Sequence, residues 1–239
     1  MRTKAARYFG AAKKAVLTLK HYYENELPSI KMLSPANQPN PEFPYPCEYT
    51  SHQDNTTQRF DYLSHLDKAK LIFSCRTDDG NICVKFVRQY SESAHLICST
   101  LGFAPVLRGF EKVAGGWFMV VMDLLGDTYQ DLVDSPFKAA FSEEITEKII
   151  SFHQAGYVHG DLRETNILVK YDGTPGIMLV DFDWAGVVGE VRYPPNVNTR
   201  EIKRPRGAYD GELIKAEHDI AMLSFMFESI PQQVEMEPA

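Results

Sequence analysis

Two short acidic runs in the second half of the chain have the composition of a reaction centre. The first is His159-Gly160-Asp161-Leu162-Arg163-Glu164-Thr165-Asn166, with Asp161 and Asn166 five apart; the second, fifteen residues after Asn166, is Asp181-Phe182-Asp183. Phosphoryl transfer asks a protein for little covalent chemistry. It needs an acceptor hydroxyl held in line, metal bridging the phosphates, and cations against the developing charge. One carboxylate near the acceptor, with an Asn and a second carboxylate for Mg²⁺, meets that need, and such oxygen ligands suit a hard cation that keeps several waters. Taken singly, a His-Gly-Asp is usually a turn, an Asp-Phe-Asp a solvated turn, and the upstream Val84-Lys85-Phe86 a strand with its lysine in water. Their order and intervals carry the reading.

The elements that must hold these residues can be read from periodicity and turn chemistry. Ala69 to Arg76 and Ile82 to Val87 are predicted strands joined across Thr77-Asp78-Asp79-Gly80-Asn81, since Asp-Gly in a short polar gap is a strong hairpin signal. Glu92 to Thr100 fits a short helix. Val106 to Phe110 and Trp117 to Met122 fit a second strand pair across Gly115-Gly116. Phe141 to Ala155 is helical, with Ser142 as its expected N-cap, Glu143 and Glu144 in the first turn, and Gly156 as the stop. Ile167 to Lys170 and Ile177 to Val180 are short strands around a polar turn. Residues 184–212 are irregular, and Ala216 to Glu228 is a last helix.

Ahead of this lies a different kind of sequence. Ala5, Tyr8, Ala12, Val16, Leu19, Tyr23 and Leu27 form one apolar stripe over residues 4–27, expected to pack on the main body, and Pro28 ends the pattern. Prolines 35, 39, 41, 44 and 46 make residues 34–58 a loop-like strap. The division expected is 1–58 for helix and linker, 59–126 for a small sheet-rich lobe, and 127–239 for a second lobe.

Composition bounds the function classes. A chain of 239 residues can bury a substantial core. At 44% hydrophobic and 24% charged it is ordinary for a globular protein. A net charge of −7 makes nucleic acid or an anionic membrane a poor main partner. The longest uncharged apolar run, Ser93 to Leu107, contains Pro105 and is too short to span a membrane. Cys47, Cys75, Cys83 and Cys98 form no C-x-x-C pair, which argues against a zinc module. Three of them sit in apolar stretches, as buried free thiols of a reducing, intracellular and cytoplasmic setting would.

The pattern His-x-Asp-Leu-x-x-x-x-Asn followed by Asp-Phe resembles the catalytic loop and metal motif of the protein-kinase-like superfamily. The run from His153 to Arg163, then Asn166-Ile167-Leu168-Val169, then Leu179 to Gly186, resembles the atypical kinase-like proteins common in fungi. The likeness covers Phe60 to Glu228, more strongly in the second half. It implies an α+β, bilobal fold: a small antiparallel-sheet N-lobe and a mainly helical, shortened C-lobe. It implies ATP and Mg²⁺ as cofactors. Asp161 would accept or orient the hydroxyl proton, and Arg163 would lie near the transferred phosphate. Asn166, Asp181 and Asp183 would hold metal. His159 would brace the loop, and Asp219 would tie it down. Lys85 would pair with the phosphates, with Glu92 as its helix partner and His95 one turn on. Met122 would back the adenine pocket, with backbone groups of Asp123 and Leu125 meeting the base.

Three departures qualify that picture. No Gly-x-Gly-x-x-Gly occurs; its place, around Ser64-His65-Leu66-Asp67-Lys68, has no glycine, leaving Lys68 or Ser64 as substitutes. Gly160 stands where protein kinases carry an arginine that reads a phosphorylated segment. Asp183 replaces a glycine. Two classes of alternative therefore stand beside an ATP-dependent phosphotransferase acting on a protein Ser/Thr hydroxyl. One is a pseudokinase scaffold; the other is a small-molecule kinase of aminoglycoside or choline type. The long irregular segment at 184–212 favours a protein acceptor; the basic run Arg200, Lys203, Arg204 and Arg206 reads by default as a solvated loop, and more sharply as a site for an acidic or phosphate-bearing substrate.

Overall fold

A computed structural model of the chain describes residues 2–26, 42–67 and 70–228. Its contacts divide it into two units, Met1–Tyr45 and Pro46–Ala239. In the first, helix α1 (Arg2–His21) runs into a wider helical turn at Tyr22–Glu26. Tyr8, Val16, Leu19 and Tyr23 of the apolar stripe are exposed. Leu27, Pro28 and the prolines at 35, 39 and 41 lie outside the described residues.

The second unit begins earlier than the sequence suggests. Strands β1 (Glu48–Thr50) and β2 (Thr57–Arg59) form an antiparallel hairpin where only a strap was expected. The hairpin belongs with the sheet because Gly109 lets it approach. A Cβ at Gly109 would lie 2.5 Å from Tyr49 Cδ2 and 2.9 Å from the Thr50 carbonyl oxygen, so no other residue fits. The hairpin thus falls in the second unit, Pro46–Ala239.

The N-lobe is a five-stranded antiparallel sheet of β3 (Asp61–Asp67), β4 (Ile72–Thr77), β5 (Gly80–Val87), β6 (Leu107–Val113) and β7 (Trp117–Asp123). Its strand order is β3-β4-β5-β7-β6. Asp78-Asp79 turns β4 into β5, with Gly80 at φ +131°. β4 starts at Ile72, three residues later than its predicted start; Ala69 lies outside the described residues. Helix α2 (Glu92–Thr100) follows β5. The Ser91 hydroxyl caps it by accepting from the Ala94 amide at 3.4 Å, one of the amides a helix start leaves unpaired.

The C-lobe contains β8 (Tyr129–Asp131), α3 (Ser142–Gln154), β9 (Tyr157–Val158), β10 (Ile167–Lys170), β11 (Ile177–Leu179), β12 (Gly186–Val187) and α4 (Ala216–Phe227). β8, β10 and β11 form one sheet, and β9 pairs with β12. Ser142 is already helical and does not cap α3, because the chain enters through a 3₁₀ turn at Lys138–Phe141.

One core joins the lobes. Ala94 and Cys98 of α2 and the following Phe103 cluster with Ile145, Ile149 and Phe152 of α3, Met222 and Met226 of α4, and Phe182. All four cysteines are free thiols, Cys75 and Cys98 buried. Among the described residues no helix is long and apolar enough to cross a membrane.

The Phe152 ring is fully buried against Phe103, Tyr157 and Phe182. Phe152→Ala should therefore cost about 3–5 kcal/mol in urea unfolding. Ile150→Ala, two residues away on the exposed face, should change stability by about 0.5 kcal/mol or less.

Candidate active site

Strand β5 alternates its side chains, but Lys85 is buried along with its neighbours Val84 and Phe86. A buried ammonium is tolerable only when paired, and Lys85 is paired twice. Its Nζ lies 2.6 Å from Asp181 Oδ1 and 2.6 Å from Asp183 Oδ1. Lys70, in the bend between β3 and β4, adds a third contact, 3.3 Å from Asp181 Oδ2. The two lysines thus hold both carboxylates of the Asp-Phe-Asp run. Asp181 itself has φ +69°, a conformation few residues other than glycine adopt, so its backbone is held there by its surroundings.

The charges follow from this packing. Burial works against the Lys85 ammonium, but Asp181 and Asp183 outweigh it and raise its pKa. Burial likewise opposes ionisation of Asp181, yet Lys85 and then Lys70 hold its carboxyl well below the usual range. Asp183 goes the other way: burial, with the Asp181 charge beside it, raises its pKa despite Lys85.

The loop between β9 and β10 carries the second half of the site. Asp219, buried in the first turn of α4, accepts from the His159 and Gly160 amides at 2.8 Å each, and its Oδ2 is 3.0 Å from His153 Nε2. The His159 Nδ1 accepts from the Asp161 amide at 3.3 Å, which leaves Nε2–H to donate to the Val180 carbonyl at 3.1 Å. His159 thereby links the loop to the residue preceding Asp181. Gly160 is required here: its φ is +79°, and a Cβ would come 2.7 Å from Ile214 Cδ1. The Asn166 Nδ2 donates to the Asp161 carbonyl at 2.8 Å and to Asp161 Oδ2 at 3.3 Å. Arg163 reaches Asp161 Oδ2 at 3.0 Å and Arg204 reaches Oδ1 at 2.6 Å.

Lys85, Asn166, Asp181 and Met122 line one cavity of about 240 Å³, together with Lys70 and Thr165. It shares Ile72, Cys83, Met122 and Val180 with a larger cavity of about 500 Å³ walled by Leu66, Leu124, Leu125 and Leu168 and edged by Asp131 and Asp134. Apolar walls with a few acidic groups at the rim suit a flat heterocycle carrying hydroxyls. Asp181 and Asp183 already meet two cations, Lys85 and Lys70, and the Asn166 amide nitrogen faces Asp161, so its oxygen is turned to other partners. This donor set fits Mg²⁺. Among the described residues no group of three or more His, Cys, Asp or Glu could hold a metal, so the phosphates of a nucleotide and water would have to complete the shell.

Not every residue singled out from the sequence converges. Glu92 does not meet Lys85. It stands 3.5 Å from His52 Nε2, and its side chain is 42% exposed. The Ser91 cap fixes where α2 starts and so which way Glu92 faces, while Lys85 is already matched by two carboxylates. His95 and Tyr90 occupy the space beside the lysine instead. Lys85 Nζ lies 5.5 Å above the Tyr90 ring, and the Tyr90 hydroxyl is 2.8 Å from His95 Nδ1. The His95 ring stacks on Phe182 at 4.7 Å, and its Nε2 meets the Pro105 carbonyl at 2.8 Å. The Asp123 amide bonds the Val106 carbonyl and its carboxylate bonds Arg108, which leaves only its carbonyl for a base. Leu125 and Met122 line the larger cavity. Ser64 sits exposed within β3, and Lys68 lies outside the described residues. The cation found between β3 and β4 is Lys70, which precedes the start of β4 at Ile72, whereas the sequence predicts a strand that begins at Ala69 and would contain it.

No family model matches the chain, and no curated protein does. Among solved structures it is similar to the Cydia pomonella granulovirus kinase PK-1, with 16% identity, a TM-score of 0.53 and coverage of 71% of this chain and 67% of that one. It is also similar to vaccinia related kinase 3, with 15% identity, a TM-score of 0.55 and coverage of 80% of this chain and 69% of that one. At such identities the likeness is one of fold: the chain has a bilobal, α+β protein-kinase-like fold.

Burial drives the His95 pKa down to about 4. Between about pH 6.5 and 4 the unfolded chain binds a proton here that the folded chain refuses, so the contribution of His95 to stability falls as pH falls through that window. Asp183, raised, acts with the opposite sign, but it is common to wild type and variant and cancels in their difference. Urea unfolding at pH 7 and pH 4.5 should show wild type losing about 2 kcal/mol more on acidification than His95→Gln. Equal losses would refute the assignment.

Proposed function

We propose that the chain is an ATP- and Mg²⁺-dependent phosphotransferase, akin to the atypical kinase-like proteins of fungi, that moves a terminal phosphoryl group to a Ser/Thr hydroxyl of a protein. The observation that carries this reading is convergence. Lys85 from the sheet, Asn166 from the loop and Asp181 from the segment after β11 line one cavity, and Asn166 touches Asp161.

In this reading the base enters the apolar cavity behind Met122, and Lys85 and Lys70 meet the phosphate oxygens. Bound Mg²⁺, held by Asp181, Asp183 and Asn166, would supply charge neutralisation between the phosphates. The acceptor oxygen forms its bond to the γ-phosphorus as the bond from that phosphorus to the β-phosphate oxygen breaks. ADP leaves with the electron pair, and the hydroxyl proton passes to the Asp161 carboxylate. Asp219 and His159 do not touch the reacting atoms; they position Asp161 through the loop backbone.

A second reading, a nucleotide-free scaffold, draws on two features. The sequence between β3 and β4 has no glycine to bring amides close to phosphate, and Lys85 already pairs with both carboxylates.

Thermal or urea unfolding with Mg·ATP decides between them. Mg·ATP at about 100 times its dissociation constant should add about 2.7 kcal/mol to wild-type stability. Asp181→Ala should abolish the Mg²⁺-dependent part. Asp161→Asn should keep the stabilisation while losing about 10²–10⁴-fold in turnover. No stabilisation of wild type at millimolar Mg·ATP would favour the scaffold, and equal turnover by wild type and Asp161→Asn would refute the role of Asp161.

A further inference from the structure

Around Asp161 there is more positive charge than its one carboxylate can match. Two guanidinium groups, Arg163 and Arg204, meet its single carboxylate. The Arg204 side chain is only 3% exposed, and its ion pair among the described residues is with Asp161 alone. Its Nε and Nη1, and the Nε of Arg163, are buried with no acceptor among the described residues. Buried donors without partners are costly and uncommon in native proteins, and three of them beside one reactive carboxylate point to a missing acceptor.

The chemistry of that acceptor can be read from the donors. A guanidinium offers parallel N–H groups in a rigid plane, matched to the two oxygens of a carboxylate or phosphate. Arg204 is held in place: its guanidinium carbon lies 5.0 Å above the Trp184 ring, which in turn packs edge-on against Tyr193. Neither arginine is among the residues that line the cavities around Lys70, Lys85 and Asp181. Arg204 instead arrives from the irregular 184–212 segment, which also carries Arg200, Lys203 and Arg206. Access is from the Arg163 side, where that side chain is 32% exposed.

We propose that Arg204 and Arg163 form an oxyanion seat beside Asp161 that selects acceptor peptides whose reacting Ser or Thr is flanked by an acidic group. The inference rests on the phosphotransfer reading of Asp161 and names the acceptor class for it. Arg204 is then a specificity residue as well as a partner of the Asp161 carboxylate.

The test uses the full chain and three fluorescent peptides identical except that the residue next to the serine is Ala, Asp or phosphoserine. In anisotropy titrations with Mg²⁺ and a non-hydrolysable ATP analogue, wild type should bind the Asp and phosphoserine peptides about 10- to 100-fold more tightly than the Ala peptide, the worth of one charge-assisted hydrogen bond. The stronger of the two acidic arms identifies the oxyanion as carboxylate or phosphate. Arg204→Met should bring the preference close to unity, and Arg204→Lys should keep part of it. In turnover, the Arg204 variants should raise KM for the acidic peptide and leave KM for Mg·ATP unchanged. Equal binding of the three peptides by wild type would overturn the proposal without need of any variant. So would a preference that survives Arg204→Met, or a rise confined to KM for Mg·ATP. Acid-selective binding without phosphoryl transfer would refute the phosphotransfer reading and leave the seat standing; transfer without selectivity would do the reverse.

Discussion

The geometry of this site hangs on one buried carboxylate. Asp219 lies at the start of α4, almost completely withdrawn from water, and gathers three donors from two other segments. A carboxylate so placed would be destabilising were it not met by several N–H groups. Two of those groups are consecutive backbone amides, at His159 and Gly160, so the constraint acts on the loop itself rather than on a flexible side chain. Gly160 makes the arrangement affordable, since its left-handed backbone turns both amides to one carboxylate and leaves room for Ile214. Asp161 comes next in the chain, and its amide is held in turn by His159. The Asp161 carboxylate is therefore oriented by backbone geometry, the kind of preorganisation that the proposed phosphotransfer would use.

A second constraint is charge balance, and it divides the site in two. On the sheet side, two lysines face two carboxylates, and the set is close to neutral. On the Asp161 side, two guanidinium groups face one carboxylate, and donors remain unmatched. The first half is complete as it stands, while the second calls for an anion.

How much of this was legible in the sequence depends on the range of the interaction concerned. The β4–β5 hairpin, α2 and the β10 strand were readable because Asp-Gly turns, caps and apolar runs act over a few residues. The β1–β2 hairpin was hidden by its polar, proline-flanked sequence; what orders it is the close approach at Gly109, some fifty residues on. The order of Lys85, Asp161, Asn166 and Asp181 along the chain could be read, but the partners of Lys85 could not. Spacing along α2 does not give the rotation of the helix, and Glu92 faces His52. Lys70 depended on locating a strand end to within three residues. Arg204 lies forty-three residues from the carboxylate it meets, in a segment without periodicity. Its basic neighbours were visible in the sequence; its burial was not.

Phe182 connects the two halves. Its ring stacks on His95 of α2 on one side and packs against His159 of the loop and Phe152 of α3 on the others. The residues on either side of it are the two carboxylates that hold Lys85. A shift of α2 that dislodged His95 would therefore move Asp181 and Asp183 relative to Lys85. Through His159 it would also disturb the backbone that aims Asp161. His95 is suited to this position because it is neutral, satisfied at both nitrogens by Tyr90 and Pro105, and flat enough to stack. A carboxylate in the same place would compete with Asp181 and Asp183 for the lysine. The exposed Glu92 and the buried His95 are thus two consequences of one fact: Lys85 has already found its counter-charges in the Asp-Phe-Asp run.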